Sequence, residues 1–342
     1  MQRLSLMFLP AMLMMLPATG SAAGLFTTDV TLTVISGEKA KITIHPDTNY
    51  QHMTLTLTRE EDDKTLTLVR KNVRKNKDFN FEWSVEDGSW TYSGSIDASW
   101  NSDEEFLVPM DFMLVVAAPL KIEVPRPKID IKEKKVVALI DRDAARGTVE
   151  LIGLDGVFET IEEDFTYYSA GEELAFSWTS MSEVIKMVVK VWDVHGFMAF
   201  EEITPWSLSI PHDDVIFETG SHEIRDSEVP KLHKAAKTVQ ETIERYGHIV
   251  QIRLYIAGYT DTVGPAADNV GLSQRRAKAI ATWFRSAGFK VPTYYQGFGE
   301  DALAVNTDDN IDMAVNRRAL YLLAAHHPHG KELPRSNWQK LP

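Results

Sequence analysis

Cysteine is absent from all 342 residues. That excludes disulfides, thiolate metal sites, a cysteine nucleophile and a lipid carried on an N-terminal cysteine. Beyond the first segment, no stretch reaches the roughly eighteen apolar residues that a membrane-spanning helix needs. Positive charge is also short, with 36 Lys and Arg against 49 Asp and Glu, a net charge of -13. Nucleic acid and anionic lipid both ask for a basic face, so neither is an expected partner. No G-x-S-x-G, H-E-x-x-H or phosphate-cradling glycine loop occurs. No catalytic residue, cofactor or metal is expected, and the chain reads as a non-enzyme. The histidines at 326, 327 and 329 lack supporting carboxylates, and the acids between Asp308 and Asp312 lack the glycine and final glutamate of a calcium loop. Both read as polar surface.

What is present begins with a short positive start, Met1 to Arg3, and the apolar core "LSLMFLPAMLMMLP". "ATGSAAG" follows, with Ser21 and Ala23 at the -3 and -1 positions of a cleavage site. Residues 1–23 are read as a secretory signal peptide, because the core is too short to cross a bilayer. An exported, acidic, disulfide-free chain of this size fits the periplasm of a Gram-negative bacterium, including an association with its outer membrane.

From residue 24 to about 212 the pattern is that of strands. "DVTLTVIS", "KAKITIHP" and "HMTLTLTREEDDKTLTLV" alternate apolar and polar residues, with "EEDD" as a hairpin turn. Pro125 and Pro127 punctuate a charged stretch that suits a linker. The two halves match by pattern, each with a hairpin, a polar excursion and an F-x-W strand ending at Trp83 or Trp178; Trp100 and Trp192 follow. Two all-β, immunoglobulin-like sandwiches are expected, over residues 24–126 and 127–212, with the tryptophans as core anchors. The basic run Arg70 to Lys77 reads as a solvated loop.

After Pro211 the texture changes. "DDVIFETGS" reads as a strand and "SEVPKLHKAAKTVQETIERYG" as a helix, capped by Asp226 or Ser227 and stopped by Gly247. "IVQIRLYIAG" is a strand, and "LSQRRAKAIATWFRSAG" a second helix with Ser273 as N-cap. With "TYYQGFG" and "RRALYLLA" this makes an α/β domain of β-α-β-α-β-β order over 213–325, and 326–342 is expected to be a flexible tail.

The charged junction "GYTDTVGPAADNVGLSQRRA" joins these elements. On the second helix, Leu272, Arg276, Ile280 and Trp283 share one stripe, whereas Arg275 is turned by about 100° toward water. An arginine on an apolar stripe needs an anion, and Asp261, just past the preceding strand, is the nearest candidate. Helix N-terminal amides would add a positive field. Asn269 offers a donor and an acceptor beside the turn at Gly264. Two readings stay open on these grounds: a structural Asp261–Arg276 ion pair, or two charges held apart to clamp a zwitterion, the acid on an ammonium and the arginine on a carboxylate.

These residues carry a resemblance. T-D-x-x-G (Thr260, Asp261, Gly264), Asn269, L-S-x-x-R-A (Leu272, Ser273, Arg276, Ala277), G-F-G-E (Gly297 to Glu300) and N-R-R (Asn316 to Arg318) resemble the OmpA C-terminal-like domain shared by OmpA, Pal and MotB proteins. The upstream "IFETGSHEI", with Phe217, resembles that family's opening strand. The resemblance implies non-covalent binding of peptidoglycan through meso-diaminopimelate of the peptide stem, with Asp261 and Arg276 as ligand-binding residues. It places Thr260, Asn269, Leu272, Phe217 and Arg318 in supporting positions. It implies an anchor to the cell wall, with an envelope protein held by the sandwiches; the alternative is a scaffold of a secretion or motility complex whose domain docks protein. Tyr259 departs from the family's common histidine.

Overall fold

The computed structural model describes residues 26–100, 105–218, 220–328, 330–334 and 337–342. The expected signal peptide lies outside them. Chain contacts divide the molecule into two compact units; one holds the chain through Lys121 with two short returns, 140–145 and 192–199, and the other holds the rest.

In the first unit, period-two sequences fold as strands with one apolar face. Lys39–Pro46 turns Ala40, Ile42 and Ile44 inward and its lysines outward. It lies between Phe26–Val30 and Phe79–Ser84 in a three-stranded sheet. The second sheet has five strands, in the order Thr33–Ile35, Glu105–Ala117, Gly88–Ser99, Tyr50–Arg59 and Lys64–Val73. Trp83 is buried in the shared core, edge-on to Tyr92 at 5.8 Å, as a core anchor would be.

His45 adds a pH-dependent tie at the edge of this unit. Its ring nitrogens lie 2.9 Å from Asp29 and 3.0 Å from Asp78. The Asp29 hydrogen bond, opposed by desolvation and helped by Asp78, raises its pKa above the ordinary histidine value. A raised folded pKa stabilises the protonated form. The contribution is complete below the unfolded pKa of about 6.5 and fades as pH climbs through the folded value. Melting curves at pH 6 and pH 8 should therefore show a gain at the lower pH that the His45→Gln variant lacks; equal differences in both proteins would remove the assignment.

Residues 122–203, mostly of the second unit, form another pair of sheets. One comprises Ile129–Asp130, Lys135–Ile140 and Leu174–Ser177, with Ile122–Glu123 beside the second of these. The other runs Gly156–Asp164, Ala144–Gly153, Lys186–Asp193, Met198–Ile203. Because Ile122 and Glu123 already pair within this set, its first strand precedes the expected start at residue 127. Trp178 is buried just past the Leu174–Ser177 strand.

The α/β part of this unit carries a five-stranded sheet and two long helices, α1 (Val229–Tyr246) and α2 (Ala266–Ser286). The spatial order is Ser207–Ser209, Ala319–Ala324, Arg253–Tyr259, Thr293–Gly299, Gln339–Lys340. Arg253–Tyr259 runs parallel to Thr293–Gly299 and antiparallel to Ala319–Ala324. Residues 254–259 are all buried, since both faces of this central strand are covered. The helices cover one face with Leu232, Val239, Ile280 and Phe284.

Three expectations change here. The opening strand is Ser207–Ser209, placed by sequence in the second sandwich; residues 211–218 are irregular. The ladder ends where Ile210 N–H meets Tyr321 O at 2.8 Å, because Pro211 has no N–H to continue it. His212 then stacks on Tyr321 at 3.7 Å, so this segment is held by side chains instead. The second helix begins at Ala266, behind Pro265, so Ser273 is interior and caps nothing. Its hydroxyl donates to Val270 O and accepts from Gly299 N–H, each at 2.9 Å.

The third change is the tail, expected to be flexible. Its Leu333 and Trp338 pack on the sheet face opposite the helices, in a cluster with Tyr255, Tyr259 and Phe298. Trp338 meets Tyr255 at 5.0 Å and Phe298 at 5.9 Å. Gln339–Lys340 pairs with the Thr293–Gly299 strand, and Leu341 N–H donates to Thr293 O at 2.8 Å. An aromatic face and an unpaired edge would otherwise meet water.

Candidate functional site

The site forms where the central strand ends. Tyr259 N–H bonds Arg318 O and Thr260 N–H bonds Gly299 O, each at 2.9 Å, so three strand ends are held together. The chain then turns through Asp261 to Gly264, which takes φ +86° with open space around it. α2 leads back across the sheet at very close range. A Cβ on Gly258 would lie 2.5 Å from Ser273 O, and one on Gly297 only 2.2 Å from Gln274 N. Those contacts sit within one turn of Arg276 and fix its height above the sheet. Gly297→Ala should push α2 outward and cost about 1–3 kcal/mol by overpacking. A thermal melt of the variant checks this; an unchanged midpoint would show that the helix yields freely.

Helix phase separates the two arginines as the sequence implied. Arg276 is 8% exposed, and Arg275 faces water. The Arg276 Nε–H donates to Ser221 O at 3.0 Å and its Nη2 to Glu218 O at 3.2 Å. The guanidinium centre stands 5.1 Å from the Phe217 ring centroid. Among the described residues, no carboxylate is within ion-pair distance of it. Burial, then repulsion from Arg317, pulls its pKa below the usual arginine value, with Asp261 acting the other way. Among the described residues, Arg276 is thus a buried cation held by neutral carbonyls and an aromatic face.

Asp261 is 6% exposed, and it does not pair with Arg276. Its Oδ2 accepts from Arg317 Nη1, and more distantly from Met313 N–H at 3.4 Å. Arg317 also holds Asp312, and the two carboxylates together raise its pKa above the usual arginine value. The side chains of Arg317 and Asp312 are 37% and 78% exposed, so this arginine reaches Asp261 from the solvent side. Of the two readings left open by the sequence, a direct Asp261–Arg276 bridge is not what the structure contains. A narrow cleft lined by Phe217, Arg276, Arg317 and Arg318 opens at Arg276.

The supporting residues divide. Asn269 is buried and its Nδ2 donates to Asp261 O at 3.3 Å, Val263 O at 3.2 Å and Glu300 Oε2 at 2.9 Å, bracing the turn. Thr260 is buried beside Asp261, its hydroxyl without a hydrogen-bond partner among the described residues. Phe217 walls the cleft under Arg276. Leu272 is half-buried on α2, one turn before Arg276. Arg318 packs over Tyr259 at 4.3 Å and donates to Ala302 O at 3.2 Å and to Glu332 at 3.3 Å, so it ties the site to the tail more than it serves Asp261. The anion field expected from the helix start falls elsewhere, since α2 begins ten residues before Arg276, about 15 Å away along the axis.

Sequence reasoning missed Arg317 and Thr262. The Thr262 hydroxyl donates to Asp308 O at 2.7 Å and accepts from Ile311 N–H at 3.1 Å, tying the 305–313 loop over the turn. Asn316 brackets the same loop through Val305 N–H at 3.0 Å and Val305 O at 2.9 Å. The only sequence signal for Arg317 was its place in N-R-R, where adjacent residues leading into a strand point to opposite sides.

Chemically, the arrangement offers a buried guanidinium with no carboxylate partner among the described residues and a buried carboxylate held by Arg317. Residues 216–317 match the model of the OmpA family, so this region is an OmpA-family domain. Among solved structures, the chain is similar to the peptidoglycan-associated lipoprotein from Burkholderia pseudomallei, at 23% identity, 32% coverage of this chain, 88% of that one and a TM-score of 0.27. It is similar to the periplasmic domain of MotB at 16% identity, covering 44% and 79% with a TM-score of 0.28. A two-domain fibronectin type-III segment of chicken tenascin matches at 14% identity, covering 52% and 97% with a TM-score of 0.24. No curated protein matches the chain.

Proposed function

We propose that the OmpA-family domain binds peptidoglycan without covalent chemistry, through the side chain of meso-diaminopimelate in the peptide stem. One observation carries this reading: Arg276 is buried with no carboxylate partner among the described residues, and Asp261 is buried as well. An uncompensated buried cation is costly in the free protein, and a ligand carboxylate that accepts its two-pronged donors relieves that cost. The ligand's ammonium is assigned to Asp261, where Arg317 now supplies the positive charge. Arg317 retains Asp312 when it yields that place. Asn269, Thr262 and Asn316 keep the turn and its covering loop in position, so little ordering is left to binding.

The domain in this reading anchors an exported envelope protein to the cell wall in the periplasm, and the sandwiches hold a protein partner. No catalytic step is involved. Purified full-length chain should pellet with isolated peptidoglycan and return to the supernatant when free meso-diaminopimelate is added. A chain that stays in the supernatant throughout would overturn wall binding and leave the scaffold role, in which the domain docks protein.

A further inference from the structure

We propose that the second unit carries another ligand site, for a small amphipathic anion with an acid headgroup on an apolar chain. It lies in a cavity of about 400 Å³ bounded by the 124–131 segment, the 201–207 connection and residues 324–328. The volume is in the range of small-molecule sites, which join apolar walls to a few convergent polar groups. Ile129, Ile131, Ile203 and Pro205 provide apolar wall, and Arg126, His326 and His327 provide the polar end.

The polar end carries the Arg126 guanidinium in a protein whose net charge is -13. Arg126 is exposed and makes no ion pair or side-chain hydrogen bond among the described residues. Burial and the nearby charges of Arg126 and Arg253 hold both histidines below the usual imidazole pKa. That repulsion is what an anion would relieve. The two glutamates in the wall already have partners. Glu201 Oε2 accepts Val124 N–H at 2.9 Å, and Glu202 pairs with Lys186 at 2.5 Å. A guanidinium fork accepts carboxylate or phosphate equally well, so the headgroup class is anionic and the body is apolar.

Isothermal titration of the full-length chain with octanoate, octyl phosphate and octanol tests this. Either acid should bind, the tighter one naming the headgroup, with octanol at least tenfold weaker. Arg126→Gln, on the exposed rim, should weaken acid binding at least tenfold without moving the melting midpoint. Ile131→Glu should abolish it by placing charge in the apolar wall. Octanol binding as tightly as the acids, no binding of either acid, or an Arg126→Gln variant that binds like the parent would each overturn the site. None of these outcomes depends on whether the chain pellets with peptidoglycan.

Discussion

Arg276→Ala is expected to abolish co-sedimentation with peptidoglycan, with an affinity loss of about 30-fold or more. The estimate follows from removing one member of a buried, hydrogen-bonded charge contact, which costs about 2–5 kcal/mol. Two features make the residue hard to replace. Its planar fork is already oriented by the carbonyls of Ser221 and Glu218, and it rests against Phe217. Arg276→Lys keeps a charge without the fork and should recover only part of the binding. Asp261→Asn should lose binding to a similar degree, since the amide no longer attracts an ammonium. Arg275→Ala, one residue away but on the water-facing side, should bind as the parent does. Melting curves of each variant separate loss of the site from loss of the fold. If Arg276→Ala pellets like the parent while remaining folded, the pocket is misassigned.

The second large effect concerns the C-terminal segment. Trp338→Ala is expected to cost about 3–5 kcal/mol, the range for deleting a large buried aromatic. Trp338 covers Tyr255 and Phe298, and the strand after it completes the sheet edge. A fragment cut at 213–325 loses this cover and also the Ser207–Ser209 strand, so it should aggregate or melt well below a fragment spanning 204–342. Differential scanning of the two fragments decides it. Equal stability would mean that the tail adds nothing to the fold.

What could be read from the sequence was whatever repeats with a regular period. Alternation gave the strands of the N-terminal sheets, and the 3.6-residue phase of α2 put Arg276 inside and Arg275 outside. The features it did not give depend on non-local partners. Ser273 has the chemistry of an N-cap, but the helix extends past it to Pro265, and its hydroxyl instead meets a backbone amide 26 residues on, at Gly299. Ser207–Ser209 is too short to signal which sheet it joins; its pairing with Ala324, Leu323 and Leu322 decides that. Leu333, Trp338 and Leu341 are buried without any period, because an irregular segment can cover a sheet face. The ligand of Asp261 in the free protein, Arg317, lies 56 residues away, and the pairing of the Ala319–Ala324 strand with the central strand brings it there.

The site is assigned to recognise both charges of one side chain, and calorimetry with two stem peptides tests that most directly. One peptide carries meso-diaminopimelate; the other carries lysine, which has the ammonium but lacks the second carboxylate. The full-length chain should bind the diaminopimelate peptide at least tenfold more tightly, and Arg276→Ala should bring the two to the same weak affinity. Equal binding of both peptides by the unmodified chain would contradict the assignment of Arg276 to a ligand carboxylate.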